Sequence, residues 1–392
     1  MRAIIAITLL AACGFELPPP ANGDGGGEGG PGDGGVCGWP YMPEHYDPCT
    51  LPAPGPALDL SMIGLYQYNT TTGVLTDPLF QMSIPPSTDG AVRQIYAEEF
   101  SIAAMAKLRV TGTKPLLVIS NSTISVDGAA DASSRFVTTE FEVGPGANPA
   151  ECPATPPEAG QTCDVEGGSG GGAGGFGAAG GAGGEGGDTH ACDGGDGKPG
   201  GMGGIALISP TATLRGGCGG RDGGPSMQAG SDLEVGKGAP GGGAIYLSAR
   251  DMVTVAGIVN AGGAGGRGSL GGRAGGGGGG TGGMIGLEGV TVIVTSAGVV
   301  AANGGGGGGG ADGGIGKPGD DAKPGAAVAK GGVREGMGTD GGDGGFLTTP
   351  AGESANAASR GGGGGGGSVG VVHFHYRGLN ITGATISPAP TP

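Results

Sequence analysis

Four histidines (His45, His190, His373 and His375), a set of acidic glycine turns and three arginines are the side chains with which this chain could do chemistry. His373 and His375 sit two apart in Val-Val-His-Phe-His-Tyr, and on a strand that spacing turns both rings to one face, as in a pair of metal ligands. No third ligand adjoins them, so a stacked or surface pair is the plainer expectation, and neither a metal nor a cofactor is assigned. Serine and aspartate are plentiful, yet no Gly-x-Ser-x-Gly elbow lies between a strand and a helix, so no catalytic residue is assigned either. Asp193-Gly-Gly-Asp196, Asp320-Asp321 and Asp340-Gly-Gly-Asp343 place carboxylates on tight loops, which suits a hard cation such as calcium. The nonapeptide of calcium β-rolls is missing, and solvated loops are expected instead. Arg250, Arg267 and Arg273 would serve a lyase only if the fold set them beside acids.

Glycine-rich nucleotide motifs carry no information here. With 103 glycines in 392 residues, Gly-x-Gly-x-x-Gly arises by chance roughly seven times. Each Gly-Lys pair (Lys198, Lys237, Lys317) is followed by Pro or Gly, never by the Ser or Thr of a phosphate loop.

The N-terminus is more specific. Arg2, the apolar stretch Ala3 to Leu10 and the small residues Ala11-Ala12 before Cys13 read as a secretory signal, too short for a spanning helix. Leu10-Ala11-Ala12-Cys13 resembles the bacterial lipoprotein lipobox. The resemblance implies that Cys13 becomes the mature N-terminus and carries a thioether-linked diacylglycerol. Gly14 stands where an aspartate would retain such a protein at the inner membrane, which implies the outer membrane, with exposure at the cell surface as the further expectation. Removing Cys13 leaves Cys37, Cys49, Cys152, Cys163, Cys192 and Cys218, an even number that in an exported chain reads as three disulfides. Fifteen connectivities are open, and neighbour pairing (37 with 49, 152 with 163, 192 with 218) is the simplest. No C-x(2-4)-C pair exists for structural zinc.

A net charge of -16 opposes nucleic acid and anionic lipid surfaces, which attract a concentrated positive field. After residue 12 no apolar run approaches the roughly 20 residues of a membrane span. Membrane attachment is therefore assigned to the anchor at Cys13, with polysaccharide or cell-surface molecules as further partners and no nucleic acid.

Four regions follow: signal peptide 1-12, a Gly/Pro-rich tether 13-36 of ~25 to 30 Å, a β-rich segment 37-165 holding most of the aromatics, and a glycine-rich region 166-388. An apolar-x-apolar-x-Gly pattern recurs at Leu108-Gly112, Ile124-Gly128, Ala212-Gly216, Val253-Gly257 and Leu379-Gly383, with a longer variant ending at Gly298. The later glycines are 41, 41 and 85 residues apart. A second apolar stretch precedes several copies, at 116-119, 205-208, 244-247, 284-287 and 371-374. Period-two alternation with a polar middle residue predicts strands that bury one face, and no unit can do so without a neighbour. The expected fold is therefore all-β: a parallel β-helix (solenoid) with long glycine-rich insertions, partly polyproline-II-like or disordered. A β-sandwich of hairpins is the alternative.

Glycine costs ~0.5 to 1 kcal/mol more than alanine to order, so local propensity cannot fix these runs. In the run from 173, however, Ala173, Phe176, Ala179, Ala182, Glu185 and Asp188 fall at every third position, the period of polyproline II. With this GGxGG texture around short VxVxG strands, residues 166-390 resemble the glycine-rich, PE-PGRS-like surface proteins and the strand units resemble those of β-solenoid adhesins; the helical PE module is absent. The resemblance implies a non-enzymatic, lipid-anchored protein with a structural or adhesive role. The alternatives are a β-helical carbohydrate-active enzyme and a disordered glycine-rich spacer.

Overall fold

The computed structural model describes residues 36-391, except 151, 153-156, 162-166, 188-197, 208-212, 227-234 and 358. Cys13, Cys163 and Cys192, together with residues 1-35 of the signal and tether, lie outside the described residues.

Short strands form at most of the predicted apolar stretches, and they assemble into two large sheets. The ten-stranded sheet runs Leu58-Leu60, Phe100-Ile102, Thr123-Val126, Met252-Val255, Met284-Val294, Ala244-Ala249, Leu116-Ser120, Arg93-Ala97 and Ser87-Asp89, with Val371-Asn380 also paired to Met284-Val294. The eight-stranded sheet runs Thr385-Ser387, Val299-Ala301, Ile258-Asn260, Ala129-Asp131, Ala106-Thr111, Gly64-Asn69, Val74-Thr76 and Met82-Ser83. Among the described residues the helices are two 3-10 turns, Val36-Gly38 and Pro48-Thr50.

The recurring motif sets the register. Ile124 aligns with Val253, Val253 with Val292, and Val292 with Leu379, so these copies stack in one parallel ladder. Leu108 belongs instead to the other sheet, opposite Tyr66 and Ala130. The copy at Thr213-Gly216 and the stretch Ile205-Leu207 form no strand.

The expected parallel β-helix is corrected by this topology. Met284-Val294 does not break between the two predicted strands: it runs through Gly289 and pairs by Met284-Glu288 with Ala244-Ser248 and by Thr291-Val294 with Met252-Val255. One continuous strand thereby joins two ladders, and the ten-stranded sheet curls on itself like a half-barrel. Parallel and antiparallel pairs are also mixed. Ser87-Asp89 with Arg93-Ala97, Val74-Thr76 with both of its neighbours, and Arg135-Val137 with Glu140-Glu142 are all antiparallel. Strands from 37-165 pair directly with strands from 166-388 within both sheets, so the two segments share one core.

Two apolar clusters explain the continuous apolar runs. Leu116 and Val118 face the main cluster, with Ile245, Leu247, Ile285 and Leu287, while Leu117, Ile119, Ala244 and Tyr246 face a second one, with Trp39 and Phe176. A strand covered on both faces needs no polar alternation. Across the eight-stranded sheet, Arg109 is buried against Asp131 at 3.3 Å and Glu142 at 3.2 Å, and Lys107 meets Asp131 at 2.9 Å. Burial opposes the charge on Asp131, but Arg109 and Lys107 prevail and hold its carboxyl below the ordinary range.

The glycine runs form a layer of their own instead of insertions into a β-helix. In the run from Gly275, successive amides donate to three different neighbours in rotation. Gly275, Gly278 and Thr281 donate to the carbonyls of Gly224, Arg221 and Cys218; Gly276, Gly279 and Gly282 to those of Gly362, Gly365 and Ser368; and Gly277, Gly280 and Gly283 to those of Arg267, Ala264 and Ala261. Its carbonyls accept in the same rotation from Gly236, Ala239 and Gly242, from Gly171 and Gly174, and from Gly308 and Gly305. A strand alternates between two neighbours; a three-residue rotation among six is the period of polyproline II, with every hydrogen bond made between segments. The run from 173 turns back at Phe176-Ala178, with the amide of Ala173 donating to Gly181, and shows the same rotation from Gly180 to Gly187; Phe176 at the turn enters the second apolar cluster.

Among the described residues the disulfides are Cys37 to Cys49 and Cys152 to Cys218. The latter closes a separation of 66 residues and replaces the neighbour pairings 152 with 163 and 192 with 218.

A β-carbon at Gly364 would collide with the carbonyl of Gly277, and its φ lies outside the left-handed region, so the obstacle is steric alone. Gly364→Ala should therefore destabilise the protein by about 1 to 3 kcal/mol. Gly378→Ala, where the new carbon meets only ordinary contacts at 3.6 Å or more, should stay within about 0.5 kcal/mol. Thermal or denaturant melts of the two variants would compare them, and equal stabilities would refute backbone packing as the source of order.

Candidate functional site

The chemistry-bearing side chains converge beneath one segment, residues 39-47, which crosses the outer face of the ten-stranded sheet as a strap. Trp39 anchors it in the second apolar cluster, with Tyr41 and Tyr46 edge-on at 5.8 and 5.6 Å. Below, register places Ser248, Glu288 and His375 side by side on three strands, and Tyr246, Gly286 and His373 side by side two residues earlier. Period two puts both rows on the strap's face. Gly286 makes the row possible, because a β-carbon there would strike the Tyr246 ring.

Glu288 is the hub and is fully buried. Its carboxylate accepts from Ser248 Oγ at 2.6 Å, from the Glu44 amide at 3.0 Å, and pairs with His375 Nδ1 at 2.7 Å. Ser248 spends its proton on Glu288, so Tyr46 donates to Ser248 at 2.8 Å, and Tyr41 donates to the carbonyl of Ala249 at 2.8 Å. His373 Nε2 lies 2.7 Å from Glu44 on the strap itself. His45 meets the Tyr246 ring edge-on at 4.6 Å.

The electrostatics follow from this burial. The hydrogen bond to Glu288 raises the pKa of His375, and burial opposes it. The hydrogen bond from His373 lowers that of Glu44 against burial. Burial lowers the pKa of His45 and, reinforced by Glu288, raises those of Tyr41, Tyr46 and Tyr246.

The order of groups decides what this cluster can do. In a serine hydrolase the histidine stands between serine and acid and takes the serine's proton. Here the carboxylate stands between Ser248 and His375, so no base faces Ser248. Glu44 and Glu288 are each engaged by a histidine, and of these two only Glu44 reaches solvent, while Asp47 at the end of the strap is exposed and accepts from the Cys49 amide. The arrangement is a clasp: it ties residues 41-46 to strands more than 200 residues away in sequence. Beside it opens a cleft of about 1200 Å³ lined by His45, Glu44, Thr113, Asn148 and Arg215. The Arg215 guanidinium lies 5.3 Å over Phe176 and approaches the Cys152-Cys218 bridge.

The other candidate residues are placed as follows. His373 and His375 share the strap's face as the two-residue spacing implies, each with a carboxylate for a partner. Asp320 pairs with Lys323, Asp343 with Lys330 and Asp340 with Arg334, while Asp321 is half-buried and accepts from the amides of Phe136 and Gly265. Asp193 and Asp196 lie outside the described residues. Among the described residues no three His, Cys, Asp or Glu gather as metal ligands, and no helix is long and apolar enough to cross a membrane. Arg273 pairs with Asp312 at 3.2 Å, and Arg267 stacks over Phe136 at 5.0 Å. Glu44 and Glu288 were missed by sequence reasoning; the one available signal was the polar Glu288 inside an apolar strand.

No protein family, curated protein or solved structure matches this chain.

The His375-Glu288 pair gives a signed pH dependence. The folded pKa of His375 lies above its ordinary value of 6.5, so the pair's stabilisation is complete below about that pH and is lost as pH rises through the raised value. Proton NMR titration should find the His375 midpoint above 6.5 in the natural protein and lower in Glu288→Gln. The decline of stability over that interval should vanish in the variant; an unmoved midpoint would refute the clasp.

Proposed function

We propose that this chain is a lipid-anchored protein of the cell envelope, held at the outer membrane through Cys13 and serving a structural or adhesive, non-enzymatic role toward cell-surface molecules or polysaccharide. The observation that carries the reading is how the chain spends its polar groups. In the glycine layer the hydrogen-bonding capacity of the run from Gly275 is turned inward, backbone to backbone. At the layer's rim, Lys237-Asp222, Lys323-Asp320 and Lys330-Asp343 are mutual ion pairs. Beneath the strap, Glu288 and Ser248 are shut from solvent. Such a body is built to hold its shape, and little of its reactive inventory faces outward.

A carbohydrate-active enzyme would need two solvent-accessible carboxylates with an arginine nearby. Glu44, Asp47 and Arg215 line the same cleft, but Glu44 is paired with His373 and Asp47 caps the amide of Cys49, so both carboxylates are engaged within the chain. The order within the glycine runs likewise disfavours a disordered spacer.

Cells fed a radioactive fatty acid should yield labelled protein in the outer-membrane fraction, and Cys13→Ser should abolish the label. Label that persists in Cys13→Ser would overturn the anchor.

A further inference from the structure

One end of the eight-stranded sheet carries an apolar ridge that none of the preceding contacts uses. Register assembles it from three separate segments. Ile63 precedes the strand Gly64-Asn69, and the amide of Gly64 donates to the carbonyl of Met105, which precedes the neighbouring strand. On the other side Pro78 packs over Gly64, and the turn it begins presents Leu79 and Phe80 before the chain returns as Met82-Ser83 opposite Leu75-Thr76. Met82 and Ile84, two apart, share a face. Ile63, Leu79, Phe80, Met82, Ile84 and Met105 are between 65% and 86% exposed.

Two features make the ridge more than scattered surface. Phe80 is held at φ 61°, a conformation a bulky L-residue avoids, by a turn in which Asp77 Oδ1 accepts from the amides of Leu79 and Gln81 and the Asp77 carbonyl accepts from Phe80. The fold thus spends strain to keep an aromatic ring in solvent. Moreover, no residue of 61-68, 78-86 or 103-106 is charged, in a chain of net charge -16.

We infer that this ridge is a second membrane contact, inserting Phe80 and its neighbours into the uncharged interfacial zone of a lipid bilayer. The inference rests on the anchored reading of Cys13 for its biological setting. A strand-adding partner is disfavoured, because Pro78, Pro85 and Pro86 flank the edge strand and deprive it of donors. An uncharged ridge is the part of an acidic protein that approaches lipid without repulsion, whereas a charged protein partner would find nothing to pair with. The anchor also reaches: Cys13 lies 23 residues before Val36, a covalent span of at most about 80 Å. A lipid anchor plus an apolar contact is the two-signal arrangement that makes membrane attachment stable.

The test uses the full chain as Cys13→Ser, without the acyl group, floated with neutral phosphatidylcholine vesicles. This protein should float. Adding Phe80→Asn, which tolerates the left-handed backbone, and Met82→Thr should cut the partition about tenfold, the factor that about 1.4 kcal/mol represents. Ile315→Asn, at an exposed apolar position elsewhere, should leave it unchanged. The substituted side chains are exposed and Phe80→Asn relieves backbone strain, so the variants should melt no lower than the parent. Absence of flotation, insensitivity to the ridge substitutions, equal sensitivity to Ile315→Asn, or ridge-dependent self-association without lipid binding would each overturn the inference. Fatty-acid labelling of the natural chain stands apart: its failure sinks the anchor while flotation still reports on the ridge.

Discussion

The backbone hydrogen bond between glycine runs is the interaction on which the rest of this structure depends. A glycine segment has no side chain to bury, so the hydrophobic effect gives it little reason to order. Ordering each glycine costs ~0.5 to 1 kcal/mol more than ordering alanine, and a net intramolecular hydrogen bond contributes ~0.5 to 1.5 kcal/mol. These magnitudes nearly cancel, so a glycine layer holds only if almost every amide and carbonyl is paired. The run from Gly275 meets that condition by bonding to six neighbouring segments. Six neighbours can approach that closely only where no β-carbon intervenes, which explains why the run is homopolymeric and not merely glycine-rich.

That layer and the sheets depend on one another. Phe176 extends from a glycine run into the apolar cluster that also holds Trp39, Leu117 and Tyr246, and Gly243 and Gly283 lead directly into the strands at Ala244 and Met284. A strand such as Leu116-Ser120 is covered by the main core on one side and by the strap and Phe176 on the other. Removing either covering would leave apolar strand surface facing water, so the fold is cooperative across segments that differ sharply in composition.

Several parts of this arrangement were legible in the sequence. Period-two alternation located the strands at Ile124, Val253 and Leu379, but the 41-residue glycine spacing did not set their register, since Val253 aligns with Val292, 39 residues on. Continuous runs such as Leu116-Ile119 located strands buried on both faces. What failed was the step from repeated strands to a parallel β-helix. Nothing local says that the chain passes straight through Gly289, and again through Tyr376-Gly378, where the earlier copies turn, and these continuous strands merge two ladders. The homopolymer runs carry no side chain to mark a phase, so their partners could not be read. The disulfide from Cys152 to Cys218 skips two cysteines, and the clasp joins Glu44 to His373 across 329 residues. Pattern reading is blind to contacts of that separation.

The clasp also shows why a cluster rich in His, Glu, Ser and Tyr need not be a reactive site. Reactivity requires an unsatisfied group with access to substrate. Ser248 is bonded to both Glu288 and Tyr46, Glu288 has three partners, and His373 is closed over by Glu44. These paired groups fix geometry, since any displacement of the strap would leave a carboxylate unpaired in a low-dielectric setting, while His45 Nε2 and Tyr246 OH are buried without a hydrogen-bond partner. The chain leaving the strap toward Val36 therefore departs from a fixed point on the sheet. Force applied through the N-terminal segment would then be borne first by the clasp and by the Cys37-Cys49 bridge beside it, before it reaches the glycine layer.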